Sequence, residues 1–543
     1  MKGTDSALST RHSALIPPWC EWGRGEAPLL FVAPHGGRRP HVDATAPPPR
    51  LRVNDIYTPE VTRELAGALA GGFVVNAGMD RNVLDLNRIS QVRKRAPWFL
   101  ELLTQEIAGI IARHSRVELV FVHGWNTGQA TCDIGIGAIE TPSGLQVPDG
   151  AHLTVDEAYR RQRIEGLRAA CRQARIRVAL GERFPGSHSN NLLQLFTRRA
   201  AQIDHPCAQR IAAWVAEGRI NALQLELGIP LRWPGHWRDK FVAALAAAFA
   251  DVSAPQPEAP AMRLRTQNPA LSTTAAALQF YDANADVGMF AGIGQMGPRV
   301  TSGRLLLFLG GQRVALFTGE EVHADGHGVG PLRVSRRGNG MHLEFAGPML
   351  RLDDAAVYLD LEAALTQSEL VDAEVQVEFT PTSAPGATAQ FGALRGFVAV
   401  NGQCRDMEAG AFANAAAFRA SGARQQTMLA AAFGSQSAVL ARVVDGASDA
   451  TGIHFTGRAS ETLRGLRIAV TTDGDAYTPR QFELTCAGVA PLRGHALSRM
   501  PILRPAGATG YVRVTFGIAR FEWNGATGYG LYEHARPVGG SDQ

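Results

Sequence analysis

The stretch Leu29-Leu30-Phe31-Val32-Ala33-Pro34-His35-Gly36-Gly37-Arg38-Arg39-Pro40 decides how the first half of this chain is read. Five apolar residues in a row, closed by proline and glycine, predict a strand buried on both faces, as in a parallel sheet covered by helices. The histidine then stands just past the carboxyl end of that strand, where open α/β sheets gather their ligands. Working outward, "TPEVTRELAGAL" (58–69) predicts a helix with Thr58 as N-cap and Pro59 in the first turn. "VELVFV" (117–122), "IRVAL" (176–180) and "INALQLEL" (220–227) predict further strands. Helices are predicted over 154–174, opened by a Thr154/Glu157 capping box, around 208–217 and over 237–250. This alternation predicts an α/β domain over residues 1–251, with a mostly parallel or mixed sheet and helices on both faces.

Residues 252–273 are rich in Pro, Ala and Ser without periodicity and read as a linker. Beyond them the helical period fades. Alternating segments such as "GRLLLFLGG", "MHLEFAG", "AEVQVEFTP" and "YVRVTFGIARFEW" with glycine-rich turns predict an all-β region, a barrel or a sandwich, in two halves over 274–390 and 391–543. "AGAFANAAAFRAS" (409–421) interrupts it as a short helix or covering loop.

The chain has 543 residues, 45% of them hydrophobic and 19% charged, with a formal net charge of +4. That balance, without basic blocks, argues against nucleic acid as the main partner. Six scattered cysteines with no CxxC pair suggest neither a disulfide framework nor a cysteine zinc site, and point to a reducing, cytoplasmic setting. No signal-peptide core and no membrane span are expected. His323 and His327 in "EEVHADGHG" are spaced for a metal on a helix, but their Gly and Asp neighbours predict a loop. With no GxSxG elbow in the chain, a serine hydrolase is set aside.

His123 in "VFVHGWNTG" and Glu226 in "LQLELG" also lie at predicted strand ends. A histidine in such a place is more often structural than a ligand. If the three strands are neighbours, however, two imidazoles and carboxylates would converge as a hydrolytic zinc site requires.

"APHGGRRP", "ND" at 54–55, "RNVLDLNR" at 81–88, "VHGWNT" and "ALQLEL" occur in an order that resembles the N-formylglutamate amidohydrolase family over about residues 25–250. The resemblance implies a zinc-carboxypeptidase-like fold and zinc-dependent hydrolysis of an N-formyl or other N-acyl amino acid. It implies His35 and His123 as zinc ligands and Asp55 as the third, with Asp43 and then His41 as substitutes, and Glu226 as general base. Arg88 and Arg198, with Arg81 and Asn87 behind them, are the candidates for holding the substrate carboxylate, since a guanidinium fork suits that task; Asp85 and Arg88 also read as a structural pair. The surroundings of His123 depart from the family's Asp-x-His-Ser sequence. The C-terminal half is similar in style to the paired lipocalin-like barrels of the AttH and hydroxyneurosporene synthase group, which implies room for an apolar or amphipathic ligand. The competing expectation is therefore a non-catalytic carrier or sensor that uses the β-rich half.

Overall fold

The computed structural model describes residues 16–39, 52–250, 276–295, 300–322, 328–383, 389–413, 425–444, 449–475, 477–506 and 510–538. His41, Asp43, the 252–273 segment, His323 and His327 lie outside them. The chain divides into two compact units: one takes in the described residues up to Asn126 and from Ala130 to Ala250, the other Thr127–Gln129 and the described residues from 276 on.

In the first unit the apolar runs become strands: β1 (Cys20–Gly23), β2 (Leu29–Ala33), β3 (Gly72–Asn76), β4 (Val117–Gly124), β5 (Thr131–Gly135), a small hairpin of β6 (Ile139–Thr141) and β7 (Gly144–Gln146), β8 (Arg177–Leu180) and β9 (Ile220–Leu227). Seven of them form one mixed sheet in the order β1-β3-β2-β4-β9-β5-β8. The central strands β3, β2, β4 and β9 run parallel, while β1 and β5 pair antiparallel with β3 and β9. Successive residues of β2 and β4 enter different cores. Leu30, Val32, Leu119 and Phe121 pack on one side against the helices Pro97–His114 and Pro206–Ala216. Leu29, Phe31, Val120 and Val122 pack on the other, against Thr58–Ala68, Glu165–Gln173 and His236–Phe249. Burial on both faces is why these strands read as unbroken apolar runs rather than alternations.

Two helix starts differ from expectation. Tyr57, in the left-handed region at φ 65°, is the N-cap of Thr58–Ala68, and the Thr58 hydroxyl donates backwards to the Asp55 carbonyl at 2.6 Å. Thr154 forms no capping box: its hydroxyl donates to the Ala222 carbonyl of β9 at 2.6 Å, and Asp156 caps the helical segment that begins at Glu157 by accepting from the Tyr159 N–H. Both residues are buried beside a strand or loop that offers a carbonyl, and that partner wins over the local cap.

The second unit is all-β. Ten antiparallel strands between Ala276 and Ala413 form a sheet whose first and last strands pair, with Leu278 opposite Ala413, and which curls until Val314–Leu316 pairs with Leu350–Leu352. Its interior is filled by side chains such as Phe317 and Phe345, whose rings are 5.0 Å apart. A second set of ten antiparallel strands runs from Gln426 to Val538, again with first against last, Leu429 opposite Tyr532. A further apolar layer draws residues from both sheets, including Phe290, Phe391, Phe412, Phe455 and Ile518. The division expected at 390–391 falls inside the first sheet, because Gln390–Val400 pairs on one side with Glu369–Pro381 and on the other with Gln403–Ala413. Residues 409–413, expected in a short helix or loop, end that last strand. Among the described residues no helix is long and apolar enough to cross a membrane.

Candidate metal centre

The adjacency that the sequence left open is realised: β2, β4 and β9 are consecutive neighbours in the sheet. His35 follows the end of β2, His123 is the penultimate residue of β4, and Glu226 lies directly opposite His123 in β9. Asp133 of β5 faces Glu226 from the other side, so a row of three polar side chains crosses the carboxyl end of the sheet. Asp55 arrives from the loop before the helix Thr58–Ala68, and its N–H donates to the His35 carbonyl at 2.9 Å.

His35, Asp55 and His123 are all buried, and each offers a ligand atom within 4.8 Å of the others. Asp55 Oδ2 lies 3.3 Å from His35 Nδ1 and 3.4 Å from His123 Nδ1. Zinc bonds of about 2.0–2.1 Å at tetrahedral angles would place ligand atoms about 3.3 Å apart. On its other edge, His35 Nε2 donates to Asp85 Oδ1 at 2.7 Å. That bond leaves Nδ1 of the neutral ring as a bare lone pair turned toward a carboxylate oxygen, an arrangement that a cation between the two would relieve. The donor set therefore fits a divalent metal, with His35, His123 and Asp55 as its holders.

Electrostatics divide the carboxylates into two kinds. Burial alone would raise the Asp55 carboxyl, but the Arg81 guanidinium, which donates to Oδ1 at 2.9 Å, and the two imidazoles hold it well below the usual carboxylate range. Asp85 is also held low: its burial is outweighed by His35, Arg81 and Arg88. Glu226 behaves oppositely. Burial, opposed by His123 and Arg81 and reinforced by Asp55 and Asp133, pushes it up to about 7, the range suited to taking and returning a proton near neutrality.

The glycines of the opening stretch answer to space rather than to backbone angle. A Cβ on Gly37 would collide with the Met79 carbonyl, and one on Gly36 would strike the Pro59 ring and stand 2.7 Å from the Asn76 carbonyl oxygen. Asn76 holds the same loop by donating to the Pro34 carbonyl at 3.0 Å.

The cleft above these residues is lined by Arg52, Arg81, Asn87, Arg88, Arg183 and His188 among others. Arg88 is partly occupied, its Nε lying 3.6 Å from Asp85 Oδ2. Asn87 is buried, and among the described residues its Oδ1 has no hydrogen-bond partner. Arg81 also lines the cleft and donates to Asp55 Oδ1 at 2.9 Å. Arg198 is exposed at the start of a 3-10 turn and is not among the residues lining the cleft.

Three contributors escaped the sequence reading. Asp133 accepts from the N–H groups of Glu182, Arg183 and Phe184 at 3.1, 2.8 and 2.7 Å, fixing the loop that forms one wall of the cleft. Gln224 donates to the Phe184 carbonyl at 3.1 Å and accepts from Asn191 at 3.3 Å. Arg232 is wholly buried, and its guanidinium donates to the carbonyls of Ile56 (2.7 Å), Trp125 (3.2 Å) and Leu227 (3.0 Å) and to Asn126 Oδ1 (3.0 Å). One side chain thus ties together the segments that follow Asp55, His123 and Glu226. Gly124 makes room for it: a Cβ there would stand 2.6 Å from Arg232 Cζ and 3.0 Å from Asp55 Cβ. Asp133 alone had a visible cue, a lone carboxylate in the otherwise apolar "TCDIG".

No protein-family model matches the chain, and no curated protein matches it. Among solved structures it shows a likeness to N-formylglutamate amidohydrolase from Ralstonia eutropha JMP134, at 16% identity over 42% of this chain and 94% of that one, with a TM-score of 0.29. Kievitone hydratase from Nectria haematococca is similar at 11% identity over 48% and 88%, TM-score 0.29. An AttH-like protein from Nitrosomonas europaea is similar at 10% identity over 48% and 90%, TM-score 0.32.

Proposed function

We propose that the α/β unit is a zinc-dependent amide hydrolase acting on an N-formyl or other N-acyl amino acid. The observation that carries this reading is the meeting of His35 Nδ1, His123 Nδ1 and Asp55 Oδ2 beside a Glu226 carboxyl raised to about 7. Zinc, when bound, supplies a Lewis acid that acidifies water and polarises an amide carbonyl. Glu226 takes the proton from the attacking water on its carboxylate and delivers it to the nitrogen of the departing amine. Asp85 keeps the His35 ring oriented and its proton on Nε2. Arg88, with Arg52 beside it at the cleft, receives the free carboxylate of the substrate, and Asn87 Oδ1 accepts from a substrate N–H. Cytoplasmic residence belongs to the same reading, since all six cysteines are free thiols.

Elemental analysis of protein purified without added metal, for wild type and His35→Ala in parallel, tests it. About one zinc per chain in wild type, lost in the variant, is expected together with cleavage of members of an N-formyl and longer N-acyl amino acid panel. Wild type that cannot be loaded with zinc defeats the reading.

A further inference from the structure

The second ten-stranded sheet carries a polar layer at one end of its core-facing side that the hydrolase reading does not use. Inward-facing positions along its strands are set by the core: Leu429, Ala431, Ala519, Phe521 and Tyr532 pack together. Strand side chains alternate between faces, so Thr427, Arg513, Thr515, His534 and Arg536 face the same interior. The register confirms their neighbourhood, with His534 opposite both Thr427 and Thr515, and Arg513 opposite Arg536.

His534 and Thr515 are 2% and 0% exposed. The Thr427 hydroxyl lies 2.9 Å from His534 Nδ1. With that hydroxyl as donor, Nε2 carries the ring proton. Among the described residues, His534 Nε2, Thr515 Oγ1 and Arg513 Nε have no hydrogen-bond partner. Three buried donors on adjacent inward positions cost stability unless an acceptor meets them. Beyond them, the guanidinium carbons of Arg513 and Arg536 lie 5.5 and 5.7 Å from the centre of the Tyr477 ring. Asp475 enters the group: its Oδ2 is 3.0 Å from Arg513, which also donates to Thr478 Oγ1 at 2.7 Å. Arg513 and Arg536 thus bring two guanidinium groups to this layer. Burial and the charges of Arg536 and Arg513 hold the imidazole down at about 4, so at neutral pH it is an uncharged donor.

We propose that this end of the second sheet binds a small oxyanion, a carboxylate or phosphate group, through His534 Nε2, Thr515 Oγ1 and the Arg513 guanidinium. The site differs from an apolar cavity in what it selects: the head group is recognised, while the interior beside it is already packed with Phe482 and Tyr532, rings 4.7 Å apart.

The test uses the full chain with histidine ring carbons labelled, the His534 resonance being identified by its disappearance in His534→Gln. Sodium acetate and inorganic phosphate are titrated separately, with sodium chloride at matched ionic strength as control. A saturable shift of that resonance with acetate or phosphate, absent with chloride, is expected, and the anion that saturates identifies the head group. Losing one charge-assisted bond weakens binding by about tenfold or more, so Arg513→Gln and the near-isosteric Thr515→Val should each raise the midpoint by that factor while melting as folded proteins. A resonance that ignores both anions, that follows chloride equally, or that saturates at the wild-type midpoint in both variants overturns the proposal.

Discussion

Replacing Gly124 by alanine isolates the packing on which the candidate centre depends. The glycine has no positive φ, so its substitution strains space and not backbone angle. The added methyl would sit 2.6 Å from Arg232 Cζ and 3.0 Å from Asp55 Cβ, against ordinary carbon contacts of about 3.5–4.0 Å. Relief requires a retreat of about 1 Å by the guanidinium and about 0.5 Å by the aspartate. Arg232 is pinned by four hydrogen bonds and Asp55 by its backbone bond to His35 and by Arg81. Overpacking of this kind costs about 1–3 kcal/mol. Ligand distances hold to about 0.2 Å, so the displaced carboxylate should lower zinc affinity by about 10–100-fold, the scale seen when a metal ligand's support is disturbed. Competition against a chromophoric chelator reads the affinity and urea unfolding reads the stability. Wild-type values for both would refute the reasoning that Arg232 and Asp55 are held in place against Gly124.

Other substitutions separate the remaining roles. Asp85→Ala removes the acceptor that fixes the His35 ring and should lower zinc affinity by about 10–100-fold in the same chelator assay. Glu226→Gln should leave zinc stoichiometry intact while amide turnover falls by about 10²–10⁴-fold, measured as released amine. His534 predicts a pH dependence remote from the cleft. Its folded pKa of about 4 lies below the ordinary 6.5, so between those values the unfolded chain binds a proton that the folded chain refuses. Its contribution is therefore intact above pH 6.5 and lost as pH falls toward 4, by about 3 kcal/mol in all. Denaturation midpoints of wild type should converge toward those of His534→Gln across that window, and parallel curves would contradict it.

His35, His123 and Glu226 were legible because parallel strands buried on both faces leave an unbroken apolar signature, and a polar residue at its end is conspicuous. Asp55 needed the family resemblance, since nothing in "VNDIY" marks it. Arg232 was not legible at all: its role arises where three loops from distant parts of the chain present carbonyls to one point, and no spacing in the sequence encodes that meeting. The Thr154 box failed for a related reason, because a buried neighbouring strand competed with the local cap. Gly36, Gly37 and Gly124 were visible as residues, but the atoms that exclude a side chain at each belong to segments elsewhere in the sequence.

The pairing of first strand with last in both β-sheets also sets an order of events during synthesis. In each, the opening strand pairs at once with the strand that follows it but must wait for more than a hundred residues of chain before its second partner exists, as Leu278 waits for Ala413 and Leu429 for Tyr532. Contacts of such long sequence separation form slowly. The strand Ala526–Val538 is bonded on both flanks, to Gln426–Phe433 and to Gly510–Trp523. A ribosome stalled before residue 526 would therefore carry a second sheet with two unsatisfied edges exposed to other chains, whereas every strand of the α/β sheet has been made by Leu227.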